Sequence, residues 1–314
     1  MKASIIVPNL EPQSVLLPSI QAMCAQSVDD FEVILPLIGE ISREERVILK
    51  HFEEQYSNFR TLPVKGSRSA SLNQAVDDSD GKLIFFVESH CIIDRDWLKR
   101  YFARFNKNKF QVSFITIKEV PSNRWISKCV WRQRADVIQR HKDAGTYDAF
   151  FDLHGSCVTR ELFDSMGQFS EIPAMAEFEF GAKLHQRGIP IHRVVDEKIW
   201  HYNNRTLSSY ENIVKRQGHD RVRMLSKHGR EFMERYFPSP KLINFLPFLQ
   251  KFRLPVLCTA QAMMLAQVMG INLFEKVSPA LSESCFRGYA ANCLRYGMLK
   301  ELGREGYEGL SNRI

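Results

Sequence analysis

No Gly-x-Gly-x-x-Gly loop, internal repeat or low-complexity tract occurs in the 314 residues. That excludes a glycine-rich phosphate cradle and makes solenoid, collagen-like and disordered architectures poor readings. The seven cysteines (Cys24, Cys91, Cys129, Cys157, Cys258, Cys285 and Cys293) are odd in number and scattered. Neither a disulfide framework nor a cysteine zinc site is indicated, and a reducing cytosol is expected. The apolar run Ile5-Ile6-Val7 stops at Pro8 and meets Glu11, too short for a signal h-region, so a first strand is expected there. Charge is not concentrated either. Lys plus Arg number 43 against 36 Asp plus Glu, a net +7 with pI near 9.0. This excess favours phosphorylated small molecules or acidic lipid. The basic residues form no stripe and no RNP-like, helix-turn-helix or zinc-finger pattern, so no nucleic-acid partner is expected.

With 44% hydrophobic and 25% charged residues, the chain has an ordinary globular composition and enough length for a sizeable core. From residue 3 to about 120, short β-branched or aromatic runs alternate with stretches of helical period. The runs are Ser4–Val7, Phe31–Leu35, Phe59–Val64, Leu83–Val87 and Val112–Ile117. Val15/Leu16/Ile20/Met23 and Val47/Ile48/His51/Phe52 exemplify the helical spacing. This alternation predicts an α/β, Rossmann-like, mostly parallel sheet flanked by helices.

Ligands of such sheets lie at the carboxyl ends of the strands. The residues there are Pro8-Asn9-Leu10-Glu11, Pro36–Gly39, Lys65-Gly66-Ser67-Arg68 and Glu88-Ser89-His90-Cys91. Glu88 and His90, two apart on one loop, can share a divalent cation, and an oxygen with an imidazole nitrogen suits Mn²⁺ or a similar ion better than Ca²⁺. Taken alone, an acid and a histidine on a loop are more often solvated. Asp94 is placed to cap the helix that follows.

Ser-Ile-Ile-Val-Pro at the start, Phe-Glu-Val-Ile-Leu, Ser71-Leu72-Asn73 and the Phe-Phe-Val-Glu-Ser-His loop together resemble family 2 glycosyltransferases of the GT-A fold. In that family the fourth strand ends in Asp-x-Asp, which binds metal and donor diphosphate. Glu88-Ser89-His90-Cys91 is more similar to the Asp-Ser-His-Cys loop of polypeptide N-acetylgalactosaminyltransferases, whose acid-x-histidine pair binds Mn²⁺ with a further histidine downstream. The resemblance implies a metal site of Glu88, His90 and His201, holding Mn²⁺ or Mg²⁺, with His201 just after a strand at Ile191–Val195. His201 as a plain loop or core histidine beside Trp200 is the alternative. Donor contacts are expected from Pro8, Asn9, Glu11, Arg68, Asn73, Glu88, Ser89, Arg216 and Arg221, with His219 beside the last two.

Phe151 to Phe169 resemble the family's small-residue strand and Gly-x-Phe turn, which places His154 and Gly155 beside the acceptor. The stretch from Ala176 to Gly188 resembles the helix that carries the general base. Aligning Lys183-Leu184 and Gly188 with that pattern puts Glu177 at the base, also touching acceptor, and Glu179 next in line. Otherwise the two are acids in a helix's first turn, where the dipole favours them. The sequence departs from the family in having Ala176 beside the base, Glu in place of Asp, and no carboxylate in Pro36–Gly39 to read a uracil ring. A uridine donor is therefore implied by resemblance only.

Val256–Phe274 has no charged residue but includes Thr259, Gln261, Gln267 and Asn272, so interfacial or buried packing is expected rather than crossing. Lys251, Arg253 and Lys276 flank it and suit anionic head groups. An ordinary helical subdomain is an equal reading. Phe286–Leu302 reads as another amphipathic helix. The expected division is a catalytic domain over 1–237 and a C-terminal helical segment over 238–314, in a cytoplasmic protein that can sit peripherally on a membrane. The lead reading is an inverting, metal-dependent transferase moving a sugar from a nucleotide-sugar to a glycan or lipid-linked acceptor. A retaining transferase and a non-catalytic scaffold that binds glycan or a synthase partner are the alternatives.

Overall fold

A computed structural model describes residues 2–8, 16–120, 124–143, 145–172, 174–202, 206–237, 253–274 and 278–305. The chain forms two compact units, Met1–Pro121 with Asp148–Asn203, and Ser122–Tyr147 with Asn204–Ile314. The sequence-based boundary at 237 does not coincide with them.

The first unit is built on β1 (Ala3–Ile6), β2 (Phe31–Ile38), β3 (Phe59–Val64), β4 (Leu83–Phe86), β5 (Cys91–Ile92), β6 (Val112–Glu119), β7 (Ser156–Thr159) and β8 (His192–His201). Its helices are α1 (Leu16–Cys24), α2 (Arg43–Gln55), α3 (Arg68–Asp77), α4 (Trp97–Asn108), α6 (Arg160–Ser165) and α7 (Ala176–Gln186), with α5 (Trp125–Asp143) belonging to the second unit. The described strands form one sheet in the order β3-β2-β1-β4-β7-β6-β8-β5. The first four are parallel, as expected for central strands such as β1 and β4 whose every residue is buried. The rest of the sheet is mixed: β7 runs antiparallel to both β4 and β6, β8 is parallel to β6, and β5 is antiparallel to β8.

Phe85 and Phe86 point to opposite faces of β4, as strand geometry demands. Phe85 meets Trp97 and Tyr101 of α4 edge-on. Phe86 joins Phe151, Phe163 and Phe169, and these three pack around Phe180 of α7. So the α7 helix is pinned by aromatic rings. Gly188 beyond its end has φ of 69°, a left-handed turn that favours glycine. Asp94 does not cap α4. Asp96 occupies that position, and the Asp94 carboxylate accepts its backbone N–H at 3.1 Å instead.

β8 is longer than the expected Ile191–Val195. Ile115 pairs with Val194 but Thr116 pairs with Lys198, so residues 195–197 loop out of the ladder and the strand resumes to His201. Arg100 on α4 donates to Glu197 at 2.8 and 2.9 Å, which holds the looped segment.

In the second unit, α5 packs with α8 (Leu207–Tyr236), α9 (Arg253–Phe274) and α10 (Pro279–Glu305). Cys129, Tyr210, Val214, Met264, Phe286, Tyr289 and Cys293 share one core. The uncharged run lies within α9 and the expected amphipathic helix within α10, while Leu242–Leu246 falls outside the described residues. No helix among the described residues is long and apolar enough to cross a membrane.

Gly181 lets α7 approach the segment before β7: a Cβ there would stand 2.1 Å from the Ala149 carbonyl oxygen and 2.9 Å from the Phe151 Cβ. Backbone cannot yield as a flexible side chain would. Gly181→Ala should cost about 1–3 kcal/mol, read as a lower urea midpoint with an unchanged m-value.

Candidate active site

Four strand ends build the site. β4 stops at Phe86 and the chain turns over Glu88–Cys91, where the Cys91 N–H bonds the Glu88 carbonyl at 2.9 Å. Cys91 pairs with His201 across β5 and β8, and the Tyr202 N–H donates to the His90 carbonyl at 3.0 Å, which draws His90 and His201 together. Phe86 pairs with Ser156, so residues beyond 86 run alongside residues before 156, and His154 arrives next to Glu88. After β3, Ser67 caps α3 by accepting the Ala70 N–H, which fixes Arg68 at the first helical position.

The side chains converge. His90 Nε2 lies 2.9 Å from His201 Nε2 and 3.2 Å from Glu88 Oε2, and His154 Nε2 lies 3.3 Å from the same oxygen. His154 Nδ1 donates to Asp152 Oδ1, which also accepts the His154 backbone N–H at 2.7 Å. His90, His154 and His201 can each offer one nitrogen to a common ion, all within 4.8 Å of one another. Donors bound about 2.1 Å from one first-row cation stand roughly 3.0–3.4 Å apart, close to the three separations of 2.9, 3.2 and 3.3 Å. The donor set is one carboxylate and three imidazoles, which fits a divalent transition-metal ion.

Arg68 joins this cluster to Glu177. Its Nη2 donates to Glu88 Oε1 at 3.0 Å and its Nη1 to Glu177 Oε1 at 3.3 Å. Burial opposes the guanidinium charge, but the carboxylates of Glu177 and Glu88 more than offset it and hold its pKa above the ordinary value. Glu177 is 9% exposed, and its Oε2 makes no hydrogen bond. Burial pushes its carboxyl pKa up, against the opposing pull of Arg68. Glu179 is turned elsewhere. Residues two apart on a helix do not share a face, and its carboxylate meets Ser170 Oγ and, at 3.3 Å, Lys183 Nζ.

Other expected site residues fare differently. The structure brings Arg68, Glu88, His90, His154, His201 and Glu177 together. Pro8 and Ser89 are buried at their strand ends. Asn73 holds the Gly-x-Phe turn: its amide donates to the Phe169 carbonyl at 2.8 Å and accepts the Phe169 N–H at 3.1 Å. Gly155 accepts the Ile115 N–H, and a Cβ on it would strike Ile199. Asn9 and Glu11 lie outside the described residues. Arg216, His219 and Arg221 are on α8 in the second unit. Burial and nearby Arg140 push the Arg221 pKa down to about 10, and its guanidinium stacks over Phe237. Two features escaped the sequence reading: Asp152, and the place of His154 among the other histidines. Asp152-x-His154 repeats the acid-x-histidine spacing of Glu88-x-His90, the signal that could have revealed both.

Replacing Arg68 would leave two buried carboxylates without their counter-charge. Arg68→Met should lose about 3 kcal/mol at neutral pH by urea titration. The loss should shrink as pH falls, because Glu177, whose pKa already lies high, takes up its proton first and the uncompensated charge disappears.

No curated protein sequence matches the chain. Among solved structures, S. aureus TarS 1–349 in complex with UDP-GlcNAc is similar at 16% identity and a TM-score of 0.55, over 98% of this chain and 92% of that one. Mannosyltransferase PcManGT from Pyrobaculum calidifontis, in complex with GDP-Man and Mn²⁺, is similar at 13% identity and a TM-score of 0.62, over 97% and 88%. At such identities the likeness concerns the fold. Residues 4–166, which run from β1 to α6 and include Arg68, Glu88, His90 and His154, match the model for glycosyl transferase family 2. This chain therefore belongs to family 2 and is a glycosyltransferase with the GT-A fold.

Proposed function

We propose that the chain is an inverting, metal-dependent transferase that moves a sugar from a nucleotide-sugar, first of all a UDP-sugar, to a hydroxyl of a glycan or lipid-linked acceptor. Glu177 carries this reading: a buried carboxylate with one oxygen on Arg68 and the other making no hydrogen bond. The acceptor oxygen bonds to the anomeric carbon as the bond from that carbon to the diphosphate oxygen breaks, and the acceptor proton passes to Glu177 Oε2. Burial raises the basicity of this oxygen toward what a general base requires. Arg68 keeps the carboxylate oriented through its other oxygen. A divalent cation held by Glu88, His90, His154 and His201 would supply Lewis-acid stabilisation of the departing diphosphate. Arg68 places positive charge beside the same cluster, and Pro8 and Ser89 line the donor side.

The outer side of α9 supports a membrane-surface role. Leu265 and Met269, four apart and so on one side of the helix, are exposed there, and basic residues flank the helix in sequence. We assign this face to an anionic lipid surface. The protein should pellet with phosphatidylglycerol vesicles, and the double change Leu265→Asp with Met269→Asp should abolish pelleting. Equal pelleting of both proteins would remove the assignment.

Glu177→Gln should lower kcat by about 10²–10⁴-fold while leaving nucleotide-sugar affinity unchanged by calorimetry. Retained turnover would place the base elsewhere. In the wild type, kcat should fall as pH drops through a value above the usual carboxylate range, since only ionised Glu177 accepts the proton. ¹H NMR of the product should show the anomeric configuration opposite to that of the donor. His90→Ala should remove the Mn²⁺-dependent part of nucleotide binding, and undiminished affinity would contradict metal involvement.

A further inference from the structure

We infer that the cluster selects a nitrogen-preferring first-row cation such as Co²⁺ or Zn²⁺ over Mg²⁺, and that Asp152 is the positioning residue that sets the preference through His154. This rests on the metal reading above and adds to it the identity of the ion and the residue that tunes it.

The donor atoms carry the inference. Three of the four converging groups are imidazoles, and the one carboxylate already gives Oε1 to Arg68, leaving Oε2 to face the histidines. Mg²⁺ takes oxygen ligands in near-ideal octahedral geometry and gives up its waters reluctantly. Imidazole nitrogen suits Co²⁺, Zn²⁺ and Fe²⁺, and affinity at such sites rises along the first row beyond Mn²⁺.

Asp152 prepares one of the three nitrogens. It is 3% exposed, and its Oδ1 takes both the Nδ1 proton and the backbone N–H of His154. The Ser156 Oγ donates to the Asp152 carbonyl and holds the backbone of this turn. With the proton kept at Nδ1, His154 Nε2 presents its lone pair toward Glu88 Oε2, 3.3 Å away. Two acceptors so placed need a proton or a cation between them, and a bound cation would take the proton's place. A carboxylate behind the imidazole also raises its basicity toward a metal and locks its orientation. The acid-x-histidine pairs Glu88/His90 and Asp152/His154 thus have different roles. In the first, the acid faces the ion; in the second, it stands behind the ring.

The test uses the full chain freed of metal by EDTA dialysis, with Co²⁺, Zn²⁺, Mn²⁺ or Mg²⁺ as the only added ligand. Calorimetry should give Co²⁺ and Zn²⁺ affinities at least about 100-fold above Mg²⁺, with Mn²⁺ between. The Co²⁺ form should show visible d–d absorption. Asp152→Asn should weaken Co²⁺ and Zn²⁺ binding about 10–100-fold, leave Mg²⁺ nearly unchanged, and so collapse the ratio. His154→Gln should alter the cobalt spectrum. Mg²⁺ binding as tightly as Co²⁺ in the wild type, which depends on no variant's folding, would overturn the inference and leave the metal reading standing. So would Asp152→Asn and His154→Gln proteins whose affinities and spectra match the wild type. Failure of all four cations to bind would overturn both.

Discussion

The guanidinium of Arg68 sits between two buried carboxylates, and the arrangement at the sheet's carboxyl edge depends on that single positive charge. Removing carboxylates from water is costly unless they are paired. Arg68 meets the demand by taking one oxygen from each partner. This leaves Glu88 Oε2 facing the histidines and Glu177 Oε2 buried without a hydrogen bond, so one residue both stabilises the site and divides it into two halves, one around the three histidines and one around Glu177. Its own position comes from the Ser67 cap at the start of α3.

Rigid packing stands behind each half. Aromatic rings fill both faces of β4, and the Phe180 contacts hold the helix that carries Glu177 against the strand pair that carries Glu88 and His154. The residues looped out of β8 are fastened by Arg100, and the strand recovers its pairing in time to bring His201 beside His90. These devices place polar groups to within hydrogen-bond distance, which loops alone rarely do.

Much of the site was legible because its signals are local. An acid and a histidine two apart after a β-rich run mark Glu88 and His90, and the likeness of Ala176–Gly188 to a family helix singles out Glu177, which the fold brings to Arg68. Glu179 carried the same residue type and nearly the same spacing, yet helical geometry turns it to Ser170 and Lys183. Asn73 reads as a donor contact through its place in the family-like Ser71-Leu72-Asn73, but Phe169, distant in sequence, engages both ends of that amide. α5 reads as a continuation of the sheet domain, whereas its buried Cys129 joins the core formed by α8, α9 and α10.

Hydrophobic period, turn residues and strand-end chemistry are properties of neighbouring residues, and they suffice for the α/β class, the places of the first strands along the chain and the loop that bears Glu88 and His90. Tertiary structure alone decided which distant groups meet. His90 and His201 are 111 positions apart, and Arg68 and Glu177 are 109. Their approach follows from strand register, from the antiparallel insertion of β7 and from the looped residues in β8. Register is a long-range pairing choice in which one residue of slip reverses every side chain, and no local pattern encodes it.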